Sequence, residues 1–91
     1  MITAFQLRAA RALLGLDQRQ LAALSGLSVP TIQRMEASGG VVRGNVDSLM
    51  KLIAALDQAG VELIAEGAAS PRGGRGLRLK APAGEGEPPT P

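Results

Sequence analysis

Residues 18–36, QRQLAALSGLSVPTIQRME, constrain the fold more than any other part of this chain. Two helices that cross at roughly 90–120° over a turn of about three to four residues bring their backbones together, so the contact position on the first helix needs a small side chain. Ala22 is that residue. The turn then needs a positive φ, which glycine adopts without steric cost, and Gly26 stands one helical turn after the contact position. The second helix must pack back with apolar residues while its opposite face stays polar. Leu27, Ile32 and Met35 alternate with Ser28, Gln33 and Arg34 in that way.

The ends of these helices are written in the sequence as well. Ser28 is a good N-cap, and Pro30 falls in the first turn, where its missing N–H costs little. Asp17 with Gln20, and Thr3 with Gln6, each have the spacing of a capping box. The pattern is that of a helix-turn-helix. It predicts helix 1 over about residues 4–14, ended by Gly15, helix 2 over 18–24 and helix 3 over 29–37. SGGVVRGN then reads as a loop, and Asn45 caps a fourth helix running to about residue 59, with Gly60 as its stop. Val46, Leu49, Met50, Ile53 and Leu56 form the apolar stripe of that helix. The expected core is Leu7, Ala10, Leu14, Leu21, Leu24, Ile32, Met35, Leu49, Leu52, Ile53 and Leu56.

The run QLRAARALLGLDQRQLAALSGLSVPTIQRME resembles the Cro/lambda-repressor-type (XRE-like) helix-turn-helix family, and the likeness continues through LIAALDQAG, covering about residues 3 to 59. It rests on Ala22 and Gly26 together with Leu27, the Thr31-Ile32 pair, Arg11 in the leading helix and Glu36 at the end of helix 3. The resemblance implies a transcription regulator that binds double-stranded DNA. It also implies that Arg11 and Glu36 form an ion pair tying the first helix to the third, a structural rather than a DNA-contacting role.

After residue 60 the character changes. VELIAE and GLRLK are short, rich in branched residues and charged at alternate positions, with the segment GAASPRGGR between them. They predict a two-stranded antiparallel hairpin. Short XRE-like regulators look similar here, in a looser likeness than that of the helix-turn-helix. Val61 and Leu63 would point to one face and Glu62, Ile64 and Glu66 to the other, so both faces would be partly covered. An isolated ribbon is marginal and its open edge invites a partner. The hairpin therefore reads as a dimer contact through Val61, Leu63, Ile64, Leu77 and Leu79, against the simpler alternative that it folds over helix 4 of its own chain. Past Lys80, APAGEGEPPTP has no hydrophobic periodicity and is expected to be disordered. The expected fold is thus mainly α: residues 1–60 a four-helix helix-turn-helix domain, 61–80 a β-hairpin, 81–91 a tail.

Composition narrows the function. There is no cysteine and no histidine, which removes thiol and imidazole chemistry and most transition-metal sites, so neither a metal nor a cofactor is expected. The eight carboxylates carry no paired-acid motif, and an enzyme is the poorest reading. No stretch approaches the roughly 18 apolar residues of a membrane span, and a cytoplasmic protein is expected. Residues 1–60 hold six bases (Arg8, Arg11, Arg19, Arg34, Arg43, Lys51) against four acids, whereas residues 81–91 hold two acids and no base. The positive charge lies on the folded part. One phenylalanine and no tyrosine or tryptophan leave little for unpaired bases to stack on, which favours duplex DNA over single strands or RNA loops.

Roles on DNA follow from position. Gln18 stands at the start of helix 2, where amide groups and the helix dipole favour a phosphate oxygen, and in the resembled family the matching glutamine meets one. Arg19, Thr31 and Arg43 are further phosphate candidates. Val29, Pro30, Gln33 and Arg34 would enter the major groove, Arg34 suited to guanine and Gln33 to adenine. Val29 and Pro30 depart from the hydrogen-bonding residues common at those positions in the family, which leaves specificity to Arg34, Gln33 and DNA shape. The leading reading is a homodimeric regulator on a palindromic operator, two half-sites roughly 34 Å apart. The second is an antitoxin-like or adaptor protein that uses the hairpin and tail to hold a protein partner.

Overall fold

The helix limits follow from local cap chemistry. The computed structural model describes residues 2–78 and 80, and among them lie four helices: α1 Ala4–Leu14, α2 Gln18–Ser25, α3 Val29–Glu36 and α4 Val46–Gln58. Thr3 Oγ1 accepts from the Gln6 amide at 3.1 Å while Gln6 Oε1 accepts from the Thr3 amide at 2.9 Å. Asp17 and Gln20 close the same box at 2.7 and 2.9 Å. Ser28 and Asn45 cap α3 and α4 by accepting from the amides of Thr31 and Ser48. Each such cap contributes about 1 kcal/mol by satisfying an amide that the helix cannot. Gly15 and Gly26 end α1 and α2 with φ of 67° and 75°, the left-handed conformation expected of both.

α2 packs on α3 and α4, and α1 on α3. Leu7, Leu21, Ile32, Met35, Leu52 and Leu56 are fully buried at the meeting point, joined by Ala10. Leu14 and Leu49 are half-buried against this core. Two expected core residues are not in it: Leu24 is 50 % exposed and Ile53 37 %. Their apolar spacing marks a face of the helix, and in each case that face turns away from the other three helices. On α4 only Leu49 and Leu56 of the expected stripe meet the core, and Val46 and Met50 are exposed.

Two further core residues come from outside the helices. Ile2 and Val42 are buried because the chain start pairs with the α3–α4 loop, beside Ala4 at the start of the buried face of α1. The Ala4 amide donates to Gly40 O and the Val42 amide to Ile2 O, both at 2.9 Å, around an antiparallel bridge between Thr3 and Val41.

The expected hairpin is not formed among the described residues. Residues 61–65 run without regular structure along the core, Val61 and Leu63 half-buried against it. The Gln6 side chain donates to Ile64 O at 3.1 Å. Arg78 reaches Ala65 O at 2.9 Å through its side chain, which brings the two runs together by one bond rather than a ladder. A two-stranded ribbon closed by a glycine-rich loop offers few backbone bonds against the entropy of closure. Leu77 is 89 % exposed. Leu79 and the tail of residues 81–91 lie outside the described residues.

Candidate nucleic-acid interface

The surface that can meet DNA is set by how α2 and α3 cross. Ala22 is buried at the contact, and Gly26 turns the chain. Ser25 fills the angle between the helices: its hydroxyl donates to Leu21 O at 2.8 Å and accepts from the Leu27 amide at 3.3 Å. That buried hydroxyl is satisfied, which is what allows a polar residue inside the turn.

α3 then divides lengthwise. Ile32, Met35 and Glu36 are buried, whereas Pro30, Gln33 and Arg34 are exposed on the outer face. Val29, at the first position, is half-buried and packs against the core, so it offers part of its surface only. Thr31 is half-buried and its hydroxyl lies between two exposed partners, 2.8 Å from Ser28 Oγ and 3.3 Å from Arg34 Nη2. Arg34 thus leans back along its own helix, with the rest of its guanidinium in solvent. Ser28, the N-cap, belongs to this exposed polar row, as its place opposite Leu27, Ile32 and Met35 in the sequence predicts.

The inner end of α3 is held by charge. Arg11 Nε donates to Glu36 Oε2 at 2.5 Å and Nη2 to Oε1 at 2.7 Å, a two-point grip, while Nη1 reaches Leu16 O at 3.1 Å. Gln18 Nε2 donates to the same Oε1 at 3.1 Å. Arg8, whose guanidinium stacks over the Phe5 ring 4.8 Å from its centroid, donates to Glu36 O. Glu36 is 5 % exposed. Burial disfavours its charged form, yet the hydrogen bonds from Arg11 and Gln18 and the charges of Arg11 and Arg8 together outweigh that and hold its carboxyl below the ordinary range. The hydrogen bond with Glu36 likewise raises the Arg11 pKa against its partial burial. Arg8 and the Gln18 link had no counterpart in the sequence reading, because a helix-capping arginine and a shared carboxylate leave no periodic mark.

Gln18 is therefore tied to the end of α3, half-buried, while Arg19 is exposed one position further along α2. Arg43 is exposed in the α3–α4 loop. Of the residues expected at a dimer contact, Val61 and Leu63 are half-buried against their own core, Ile64 is half-buried and Leu77 stands in solvent. Among the described residues no group of three His, Cys, Asp or Glu is placed to hold a metal ion, and no helix is long and apolar enough to cross a membrane.

Two short helices crossing at a glycine turn, the second buried on one face and polar on the other, define a helix-turn-helix domain. The family model for the helix-turn-helix matches residues 7–62. The chain belongs to that family and is an XRE-like helix-turn-helix regulator. No curated protein and no solved structure gave a match.

Proposed function

We propose that this protein is a sequence-specific regulator of transcription that binds double-stranded DNA as a homodimer on a palindromic operator. The observation that supports it best is the division of α3: its inner face is locked by Ile32, Met35 and the Arg11–Glu36 pair, and its outer face presents Gln33 and Arg34 to solvent. A helix held so can enter the major groove without reorganising. In this reading Gln33 and Arg34 read base edges, Pro30 and the exposed part of Val29 meet a thymine methyl, and Gln18, Arg19, Thr31 and Arg43 fix the register on phosphates. Residues 1–60 form the DNA-binding unit and the protein works in the cytoplasm.

Genomic footprinting of the tagged protein tests this. A small set of protected sites, each with two inverted half-sites about one helical turn apart, is the expected result. Protection spread evenly along the genome would reduce the protein to a non-specific binder.

A further inference from the structure

Helix α4 carries an apolar face that the chain does not cover. Val46, Met50 and Ile53 recur at steps of four and three, so they form one straight stripe along the helix. Val46 is 75 % exposed and Met50 62 %. Beside the C-terminal half of the stripe the returning segment makes a groove walled by Met50, Ile53, Ala54, Val61 and Leu63. Leu52 and Leu56, buried on another side of the helix, prevent α4 from rolling to hide the stripe. A contiguous exposed patch of this kind marks an interaction surface.

The charges at the two ends indicate what covers it. Asp57 lies on the line of the stripe at its C-terminal end, and Arg43 precedes the N-cap Asn45 at the other. The salt bridges among the described residues are Arg11–Glu36 and Lys51–Asp47, so neither Asp57 nor Arg43 has an ionic partner there. Both also oppose the dipole of their own helix, which favours acids at its amino end and bases at its carboxyl end. A second copy of the helix running antiparallel reverses both relationships. Asp57 of each copy then meets the amino end and Arg43 of the other, and Met50 meets Ile53 of the second copy close to the axis.

We infer that this stripe is the contact between two copies of the chain, α4 packing antiparallel on α4 about a twofold axis. The inference rests on the regulator reading and deepens it by supplying the axis that a palindromic site requires. It assigns the contact to α4, with Val61 and Leu63 as the wall of the groove, rather than to a hairpin ribbon. Three exposed side chains, Val46, Met50 and Ile53, carry the contact, and we expect the dimer to form in the micromolar range or above.

Sedimentation equilibrium of the full chain from about 10 μM to about 1 mM, the weak end of specific association, tests it. The wild type should pass from monomer to dimer across that range. Met50→Asp, at a solvent-facing position that leaves the helical circular dichroism unchanged, should weaken the dimer at least about tenfold. Arg43→Asp and Asp57→Arg should each weaken it, and the double variant should recover most of the loss. A wild type that stays monomeric, a dimer indifferent to Met50→Asp, or a charge swap without recovery overturns the inference. DNA binding is read separately, by titration onto a duplex carrying one half-site, which a monomer can occupy. A protein that dimerises through α4 yet fails that titration removes the regulator reading and leaves the interface standing. A protein that binds the half-site without dimerising does the reverse.

Discussion

Gln18 donates its side-chain amide to Glu36 at 3.1 Å, and the same carboxylate oxygen takes a hydrogen bond from Arg11 at 2.7 Å. One buried carboxylate therefore joins α1, the start of α2 and the end of α3. Whatever moves Glu36 moves the crossing of α2 and α3 with it.

The cost of breaking this junction should be unequal on its two sides. Arg11→Ala strands a buried carboxylate, whereas Glu36→Ala leaves an arginine that already reaches solvent. Removing one partner of a buried pair costs about 3–5 kcal/mol, and Arg11→Ala should fall near the lower end, with Glu36→Ala milder. The double variant should lose less than the sum of the two, as coupled partners do. Denaturant melts of the four proteins measure this, and strict additivity would end the claim of coupling.

Stability should fall in acid with a sign set by Glu36. Its folded pKa lies below the value of about 4.3 for an unfolded glutamate because the hydrogen bonds from Arg11 and Gln18 overcome burial. The unfolded chain then binds the proton more readily. The stabilisation is fully present above that unfolded value and is lost as pH drops through the lower, folded one. A Glu36→Gln variant should show a flatter stability curve below about pH 4. If the two curves run parallel there, the acid sensitivity belongs to other carboxylates.

Arg34→Ala should weaken specific binding by about 1–3 kcal/mol and relax base preference at one position per half-site. Among the described residues its guanidinium bonds only to Thr31, so thermal stability should hardly change. Equal losses on operator and random duplex would recast it as a phosphate contact.

Gly26→Ala isolates the conformational demand of the turn. A Cβ at this position meets nothing within 4 Å, so the cost is that of holding an L-residue at a φ of 75°, about 1–2 kcal/mol. Asn, which tolerates that region better, should lose less. A neutral Gly26→Ala melt would mean the turn relaxes to another conformation.

What the sequence discloses and what it hides divide along one line. Helix limits at Thr3, Gly15, Asp17, Gly26, Ser28 and Asn45 were legible because caps and turns are local chemistry, decided within three or four residues. The exposure of Leu24, Val46, Met50 and Ile53 was not, since helical spacing says that a face is apolar without saying what lies against it. Ile2 and Val42 were missed for a related reason: they enter the core through a pairing between distant segments. Gln33 and Arg34 could be placed on an outward face by period alone, whereas the Gln18–Glu36 and Arg8–Glu36 bonds depend on how three helices converge. The hairpin is not seen among the described residues: alternation in VELIAE and GLRLK describes strands that need a ladder, and residues 61–65 lie along the chain's own core.

The pairing of the chain start with the α3–α4 loop has a consequence for the encounter with DNA. With the Val42 amide bonded to Ile2 O and the Ala4 amide to Gly40 O, the glycine-bearing exit of α3 cannot fray without drawing out the first turn of α1. Slow amide hydrogen exchange should therefore extend past the end of α3 to Val42, into a loop whose composition alone would suggest rapid exchange. In the proposed reading, where Arg43 of this loop meets a phosphate, the entropy of ordering the loop is lost during folding and little of the binding free energy needs to offset it.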